Sequence, residues 1–407
     1  HWGGFIFNQG VFERDLPPRL PCGIAEVSRS HRKPPMPVPA FFPPAGTDWP
    51  EVTADATPFD GARLAAAVAF AEAHDSPMDR DIGVALAAGH FSEPPPLNEI
   101  IGPVTPRGGP AGLILHGGRV AAQWGDVDRV DMTFSVTKSY LSLCAGLAVG
   151  DGLIPDIDAP VRELVDDGGF DGPQNAAITW RHLLQLTSEW QGTLWDKPDT
   201  VDHNRQLGAA PGADTAKGQA RALQAPGSHW EYNDVRVNRL ALALLRVWRR
   251  PLPEVLKERI MDPVGASDSW QWHGYRNSYV EIDGRQMQSV SGGAHWGGGL
   301  WISARDHARV GLLMANHGQW NGRRLIDEAW IAASLTPSAL NPSYGFLWWL
   351  NAAGAQAPSA PRDSYFARGV GANIIWVAPA QNLVTVVRWI DRERFDDFAG
   401  AVMAALA

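Results

Sequence analysis

Within Thr133-Phe134-Ser135-Val136-Thr137-Lys138-Ser139 a serine hydroxyl and a lysine ammonium stand three positions apart. Residues at that spacing share one face of a helix, so a helix beginning at Ser135 makes the two heads neighbours. Apolar residues at 136, 140, 143, 144 and 147, followed by Gly150-Asp151-Gly152, predict a buried helix that starts near Ser135 and stops at the glycines. A serine placed there can act as a nucleophile. The helix N-terminus favours developing negative charge, and a close amine can hold or take the hydroxyl proton. The spacing alone is a weak signal. Ser30-His31-Arg32-Lys33 repeats it in a proline-rich stretch where no helix would align the pair. The alternative for Ser135 and Lys138 is a capping serine beside a lysine that snorkels to solvent.

Tyr232-Asn233-Asp234 precedes an apolar helical run from Val235. A free tyrosine titrates near 10, so a tyrosine base at neutral pH needs about 4 kcal/mol of help from nearby cations. Lys138 is the natural supplier, and the alternative is an aromatic packed at a helix start. Asp234 reads equally well as a substrate-facing acceptor or a helix N-cap. Later, Phe366-Ala367-Arg368-Gly369-Val370-Gly371-Ala372-Asn373 is a glycine-bearing strand. Its glycines would let backbone approach a reacting carbonyl, where side chains would block it; a kinked edge strand is the other reading. Trp190 and Trp195, in the loop after the run Ile178 to Ser188, are candidates to line an apolar acyl or leaving-group pocket, with ordinary packing as the alternative.

Other chemistries find less support. The twelve histidines include no His-Glu-x-x-His pair, and His182 reads as a satisfied core histidine, so no metal site is indicated. No Gly-x-Ser-x-Gly elbow occurs, which counts against a Ser-His-Asp triad on an α/β-hydrolase scaffold. The run His295-Trp296-Gly297-Gly298-Gly299 lacks the Gly-Lys-Ser ending of a phosphate loop. A formal net charge of −9 with five lysines argues against a general nucleic-acid binder. Cys22 and Cys144, far apart, read as free thiols. No apolar stretch approaches the 18 residues of a membrane span. The start His1-Trp2-Gly3-Gly4 shows no secretory leader, which leaves cytoplasm and periplasm both open.

The elements that would position these groups fall into a pattern. With 407 residues, 45% hydrophobic and 19% charged, the chain can bury a large core. Residues 1–50 read as a proline-rich arm draped on the body, and 61–74 as a helix. A hairpin follows, 113–116 and 119–124 around Gly117-Gly118. Helical periodicity dominates from 135 to about 265, notably over 136–149, 178–186 and 235–248. Strands return at 373–377 and 383–389, before a closing helix from about 392 to 407. This order predicts a sheet lobe built from 51–134 and 291–407, a mainly helical lobe over 135–290, and a cleft between them.

The chain resembles the serine β-lactamase and penicillin-recognising superfamily, in particular its class C-like esterase, amidase and D-aminopeptidase branch, which includes 6-aminohexanoate-dimer hydrolase and family VIII carboxylesterases. The resemblance runs from about residue 110 to 395. It is carried by Phe134 to Ser139, Gly150-Asp151-Gly152-Leu153-Ile154 with Asp158-Ala159-Pro160-Val161, Ile178 to Ser188, Gly297 to Asp306, and Tyr344-Gly345-Phe346-Leu347-Trp348-Trp349. It implies an α/β (α+β) fold, an antiparallel sheet flanked by helices plus an all-helical lobe. It also implies a cofactor-free hydrolase with Ser135 as nucleophile, Lys138 and Tyr232 as proton-transfer partners, and the N–H groups of Ser135 and Val370 as the oxyanion hole. The sequence departs from the family pattern twice. Asp234 stands where Asn is common, and Ala367 stands where a Lys or His opens the third motif. Loss of that residue, which helps hold a β-lactam carboxylate, argues toward small esters or amides, with Arg368 partly compensating. The expected partner is a small ester or amide, with no nucleic acid or membrane span, on a monomer or homodimer. A β-lactamase or D,D-peptidase, and a penicillin-binding sensor that never deacylates, are the competing readings.

Overall fold

Six antiparallel strands drawn from both ends of the chain form the largest sheet of the computed structural model, which describes residues 40–46, 49–52 and 56–406. The arm expected over 1–50 therefore lies, up to residue 39, outside the described residues, as does Cys22.

In chain order the elements used below are α1 (Gly61–Ala73), β1 (Ala111–His116), β2 (Arg119–Trp124), β3 (Asp131–Met132), α2 (Val136–Gly150), α3 (Trp180–Leu184), α4 (Asp234–Trp248), β4 (Gln271–Ile282), β5 (Arg285–Val290), β6 (Gly299–Ile302), α5 (Ala304–Ala315), β7 (Trp349–Leu350), β8 (Tyr365–Gly369), β9 (Asn373–Ala378), β10 (Leu383–Arg388) and α6 (Phe395–Ala405). The six-stranded sheet has the order β7-β8-β9-β10-β1-β2. The two chain ends meet where β1 pairs with β10, Ala111 opposite Arg388 and His116 opposite Leu383.

Period-two patterning decides the layers. Ile114, Ile374, Trp376 and Val387 face one side and pack with Leu64, Phe395, Phe398 and Val402 of α1 and α6. Leu113, Leu115, Ile375, Val377 and Val386 face the other side and join the larger core that holds α2 and α5. Each fully buried side chain of this size contributes roughly 1.5–3 kcal/mol. Helix α1 starts at Asp60, whose carboxylate accepts from the N–H groups of Ala62 and Arg63. Helix α2 is buried from Val136 to Ala148, all round and not on one stripe, because it is wedged between the sheet, α4 and neighbouring elements.

The segment expected to be mainly helical does carry α2, α3 and α4, but it closes with the long hairpin β4-β5. This hairpin forms a second sheet of order β3-β6-β4-β5. Arg388 fastens the two sheets together. Its buried guanidinium donates to Asn373 Oδ1 at 2.5 Å and to the carbonyls of Ile302 at 2.7 Å and Met132 at 3.0 Å. It thereby fixes β3, the two-residue strand that delivers Ser135.

Candidate active site

Chain geometry sets the serine before any chemistry begins. Phe134 lies in the left-handed region at φ 49°, a strained place for an aromatic residue. The surroundings hold it there. Its ring is buried and meets Trp389 edge-on at 6.3 Å, and its carbonyl accepts from the Thr137 hydroxyl at 2.6 Å. That hydroxyl in turn accepts from the Leu300 N–H at 3.1 Å, which keys β6 onto the start of α2. Ser135 occupies the N-cap position of α2, yet its hydroxyl makes no capping bond. It accepts instead from Lys138 Nζ at 2.8 Å and lines a cavity of about 690 Å³.

Lys138 is buried, and its ammonium also donates to Asp234 Oδ1 at 2.5 Å. Burial pulls its pKa down, but the Asp234 carboxylate, with Tyr232, outweighs that and holds the lysine above its ordinary range. Burial likewise opposes charge on Asp234, while Lys138, Arg205 and His295 hold its carboxyl well below the usual range. Arg205 Nη1 lies 2.6 Å from Asp234 Oδ2, and His295 Nδ1 lies 2.7 Å from the same oxygen. Asp234 is thus neither of the two things expected of it. Asn233 is the N-cap of α4, accepting from the N–H groups of Val235 and Arg236, and Asp234 is turned inward to clamp the lysine. Lys138, Arg205 and His295 converge on one carboxylate, which no reading of a single motif could reveal.

Tyr232 is 5% exposed and stacks on Trp349 at 5.7 Å. Lys138 Nζ sits 4.6 Å and Arg205 Cζ 5.3 Å from its ring centroid, so two cations meet one phenol, and Tyr232 lines the same cavity as Ser135. A second buried network fixes this stretch of chain. Arg236 binds Glu189 at 2.7 Å and Glu231 at 3.1 Å, and Arg221 also bridges Glu189 and Glu231. Asn233 Nδ2 donates to the Asp199 carbonyl at 2.8 Å.

The glycine strand arrives from the other side. A Cβ on Gly369 would overlap the Thr133 carbonyl oxygen and lie 3.1 Å from the Ser135 nitrogen, so only glycine lets β8 approach the nucleophile this closely. The N–H groups of Ser135 and Val370 donate to no acceptor among the described residues. Two free donors beside a hydroxyl, one of them at a helix start, suit a developing oxyanion. Arg368 lines the cavity too. Its Nη1 donates to Gln356 Oε1 at 2.9 Å and to the Gln356 carbonyl at 3.0 Å, and its guanidinium packs over Phe395. Burial and the nearby Arg392 push it down to about 10, and it has no carboxylate partner among the described residues.

Trp190 does not belong to the cavity wall. It is 3% exposed, and its indole donates to the Gly169 carbonyl at 2.6 Å within the helical core. Trp349, from the last resembling segment, supplies the aromatic wall instead. His182 caps α3: its Nδ1 accepts from the Thr179 N–H at 3.2 Å. Sequence reading missed Glu93, Asp202, Arg205, Lys217 and His295. Glu93, Asp202 and His295 offer ligand atoms within 4.8 Å of one another, the spacing of a metal-binding set. Lys217 Nζ stands among them, paired with Glu93, 3.2 Å from Asp202 and 3.4 Å from His295 Nε2, and supplies the positive charge there. The only advance signal was that Lys217 is one of five lysines and that His295 opens a glycine run.

A Beta-lactamase family profile matches residues 106–403, and the chain belongs to that family. Solved structures share the fold. A penicillin-binding protein homologue from Caulobacter crescentus is 18% identical, with 73% of this chain and 92% of that one covered and a TM-score of 0.51. EstCE1, described as a hydrolase with promiscuous acyltransferase activity, is 17% identical over 85% of this chain and 98% of its own, with a TM-score of 0.51. A Bacillus anthracis chain given as a 6-aminohexanoate-dimer hydrolase is 15% identical over 73% and 78%, with a TM-score of 0.51. The protein is a hydrolase of the β-lactamase superfamily with the β-lactamase-like fold.

Proposed function

We propose that the protein cleaves small carboxylic esters or amides through an acyl-enzyme on Ser135. The observation that carries this reading is the meeting of the Ser135 hydroxyl with Lys138 at 2.8 Å, beside Tyr232 and two free backbone donors on one cavity wall. Held as an ammonium by Asp234, Lys138 is a donor to Ser135 rather than the group that takes its proton. Tyr232 then takes the proton as Ser135 Oγ attacks the carbonyl carbon, and the Ser135 and Val370 N–H groups receive the charge on the carbonyl oxygen. Tyr232 returns the proton to the departing alcohol or amine. In the second half the Tyr232 phenolate takes a proton from water as that water attacks the acyl carbon, and passes it to Ser135 Oγ as the acyl bond breaks, which frees the acid and restores the serine hydroxyl.

Ala367 in place of a Lys or His removes one cation from the wall that would hold a β-lactam carboxylate, which favours neutral acyl esters and amides over β-lactams. Arg368, anchored by Gln356 and free of a carboxylate partner among the described residues, suits a polar or anionic tail on the acyl group. Replacing Ser135 by Ala is expected to abolish hydrolysis of short p-nitrophenyl esters. Unchanged turnover would end the proposal, and nitrocefin turnover equal to ester turnover would move the substrate to β-lactams.

A further inference from the structure

The cavity that holds Ser135 does not end at the nucleophile. It reaches round the turn 369–372 to Ile374, Gln356, Arg368 and Arg392. Side chains alternate along β8, and that decides where each one stands. Ala367 belongs to the core that holds α2, on the Ser135 side, while Phe366 packs with α1 and α6 on the other. Arg368 keeps to the Phe366 face: its Cζ lies 5.9 Å from the Phe366 ring centroid and 5.5 Å from that of Phe395. Arg368 is therefore out of phase with Ala367. It does not stand in for a cation at that position but serves a separate end of the cavity.

Two guanidiniums share that end without a carboxylate. Arg368 gives Nη1 to Gln356, whose own N–H donates to Asn351 Oδ1 at 3.1 Å. Its Nε and Nη2 have no partner among the described residues, and together they form the edge that pairs with a carboxylate in bidentate fashion. Arg392, in the short turn capped by Asp391, gives Nη2 to the Gly208 carbonyl and keeps Nε and Nη1 free of partners among the described residues. Its charge reaches Arg368, which burial and then Arg392 push down to about 10. Asp214, Asp391 and Glu393 line the cavity as well. Asp214 accepts from the Gln206 N–H at 2.7 Å and Asp391 from the Glu393 N–H at 3.0 Å. Among the described residues no carboxylate oxygen comes within 4.0 Å of a nitrogen of either arginine. The other lysine and arginine of the cavity wall are matched: Arg205 has Asp202 and Asp234, and Lys217 has Glu93 and Asp202. Like charges held together in a partly desolvated wall favour an anion between them.

We propose that Arg368 and Arg392 form an anion subsite beyond the 369–372 turn, which takes a carboxylate at the end of the substrate remote from the bond that is cleaved. Gln356 is a positioning residue for it, holding Arg368 by one nitrogen so that the other edge stays free. The substrate class is an ester or amide that is neutral at the reacting carbonyl and acidic at its far end. A neutral ester of the same length would fill the cavity and leave both guanidiniums unpaired.

The proposal rests on the reading of Ser135 as nucleophile, and matched substrates test it separately. Values of kcat/KM for p-nitrophenyl hydrogen adipate and suberate are divided by those for the corresponding methyl-capped diesters. The same ratio for 4-carboxyphenyl butyrate and its methyl ester offers the carboxylate on the leaving side. Wild-type protein is expected to favour the free carboxylate by about tenfold, through KM, on one of the two sides. Arg368→Gln and Arg392→Gln should each bring that ratio toward one, and Arg368→Lys should recover part of it by keeping the charge without the edge. A preference that survives both glutamine variants, or no preference on either side, overturns the proposal. Should the variants fail to fold, suberate must inhibit the wild-type enzyme competitively where dimethyl suberate does not, and equal inhibition or none overturns it. Wild-type protein that hydrolyses no ester refutes the acyl-enzyme reading instead. Calorimetric titration with suberate then decides the subsite: binding that weakens about tenfold in Arg368→Gln supports it, and no binding overturns it.

Discussion

Replacing Asp234 by Asn keeps the size of the side chain and removes one charge at the point where Lys138, Arg205 and His295 meet, at 2.5, 2.6 and 2.7 Å. At an effective dielectric of about 20, two unit charges 4 Å apart are worth about 4 kcal/mol, and desolvation offsets much of that. Removing one partner of a buried pair costs about 3–5 kcal/mol, because the remaining charge is stranded. For a chain of this size that corresponds to a fall in Tm of roughly 4–6 °C, read by calorimetry. The pH dependence has a defined sign. The folded Asp234 carboxyl titrates well below its unfolded value because Lys138, Arg205 and His295 outweigh burial. The stability it lends is therefore complete above about pH 4 and fades only as pH falls through the folded value. The gap between wild type and Asp234→Asn should be full at pH 7 and close in strong acid. In activity the high-pH side responds. Lys138 is held above the ordinary lysine range chiefly by Asp234 against the pull of burial, so in the variant it loses its proton at lower pH and kcat/KM declines earlier on the alkaline side. A variant with wild-type Tm at pH 7 and an unmoved alkaline limb would refute the assignment of Asp234 as the lysine's anchor.

Gly369→Ala is expected to lower kcat by about a hundredfold, since the new methyl overlaps the Thr133 carbonyl oxygen and displaces Val370 from the oxyanion; KM should change far less, and steady-state kinetics separate the two. Trp190→Phe removes the indole donor to Gly169 and should lower unfolding stability by about 1 kcal/mol while leaving kcat and KM for every ester unchanged. A selective change in acyl preference for that variant would return Trp190 to the cavity wall.

Much of the architecture was legible because it is local. The helices at 61–73, 136–150 and 234–248 and the strands at 111–124 and 373–388 lie within a few residues of where periodicity and turn residues put them. The long hairpin 271–290 was hidden in a segment whose neighbours are helical, and its pairing with β3 and β6 depends on residues far away in the chain.

For the site, helical spacing predicted that Ser135 and Lys138 would be neighbours, because three positions on a helix share one face, while the spacing by itself, shared by Ser30 and Lys33, left their role open. The sequence also marked Tyr232 and Gly369 by their residue types in order. The fold alone decided what those groups are. It turned Asp234 away from the helix cap, drew Trp190 into packing, and carried Glu93, the stretch with Asp202 and Arg205, Lys217 and His295 from distant parts of the chain into one buried cluster. The physical reason is range. Periodicity records contacts a few residues long, whereas charge acts through space in a low dielectric, so which ions neutralise one another is settled only when distant segments meet.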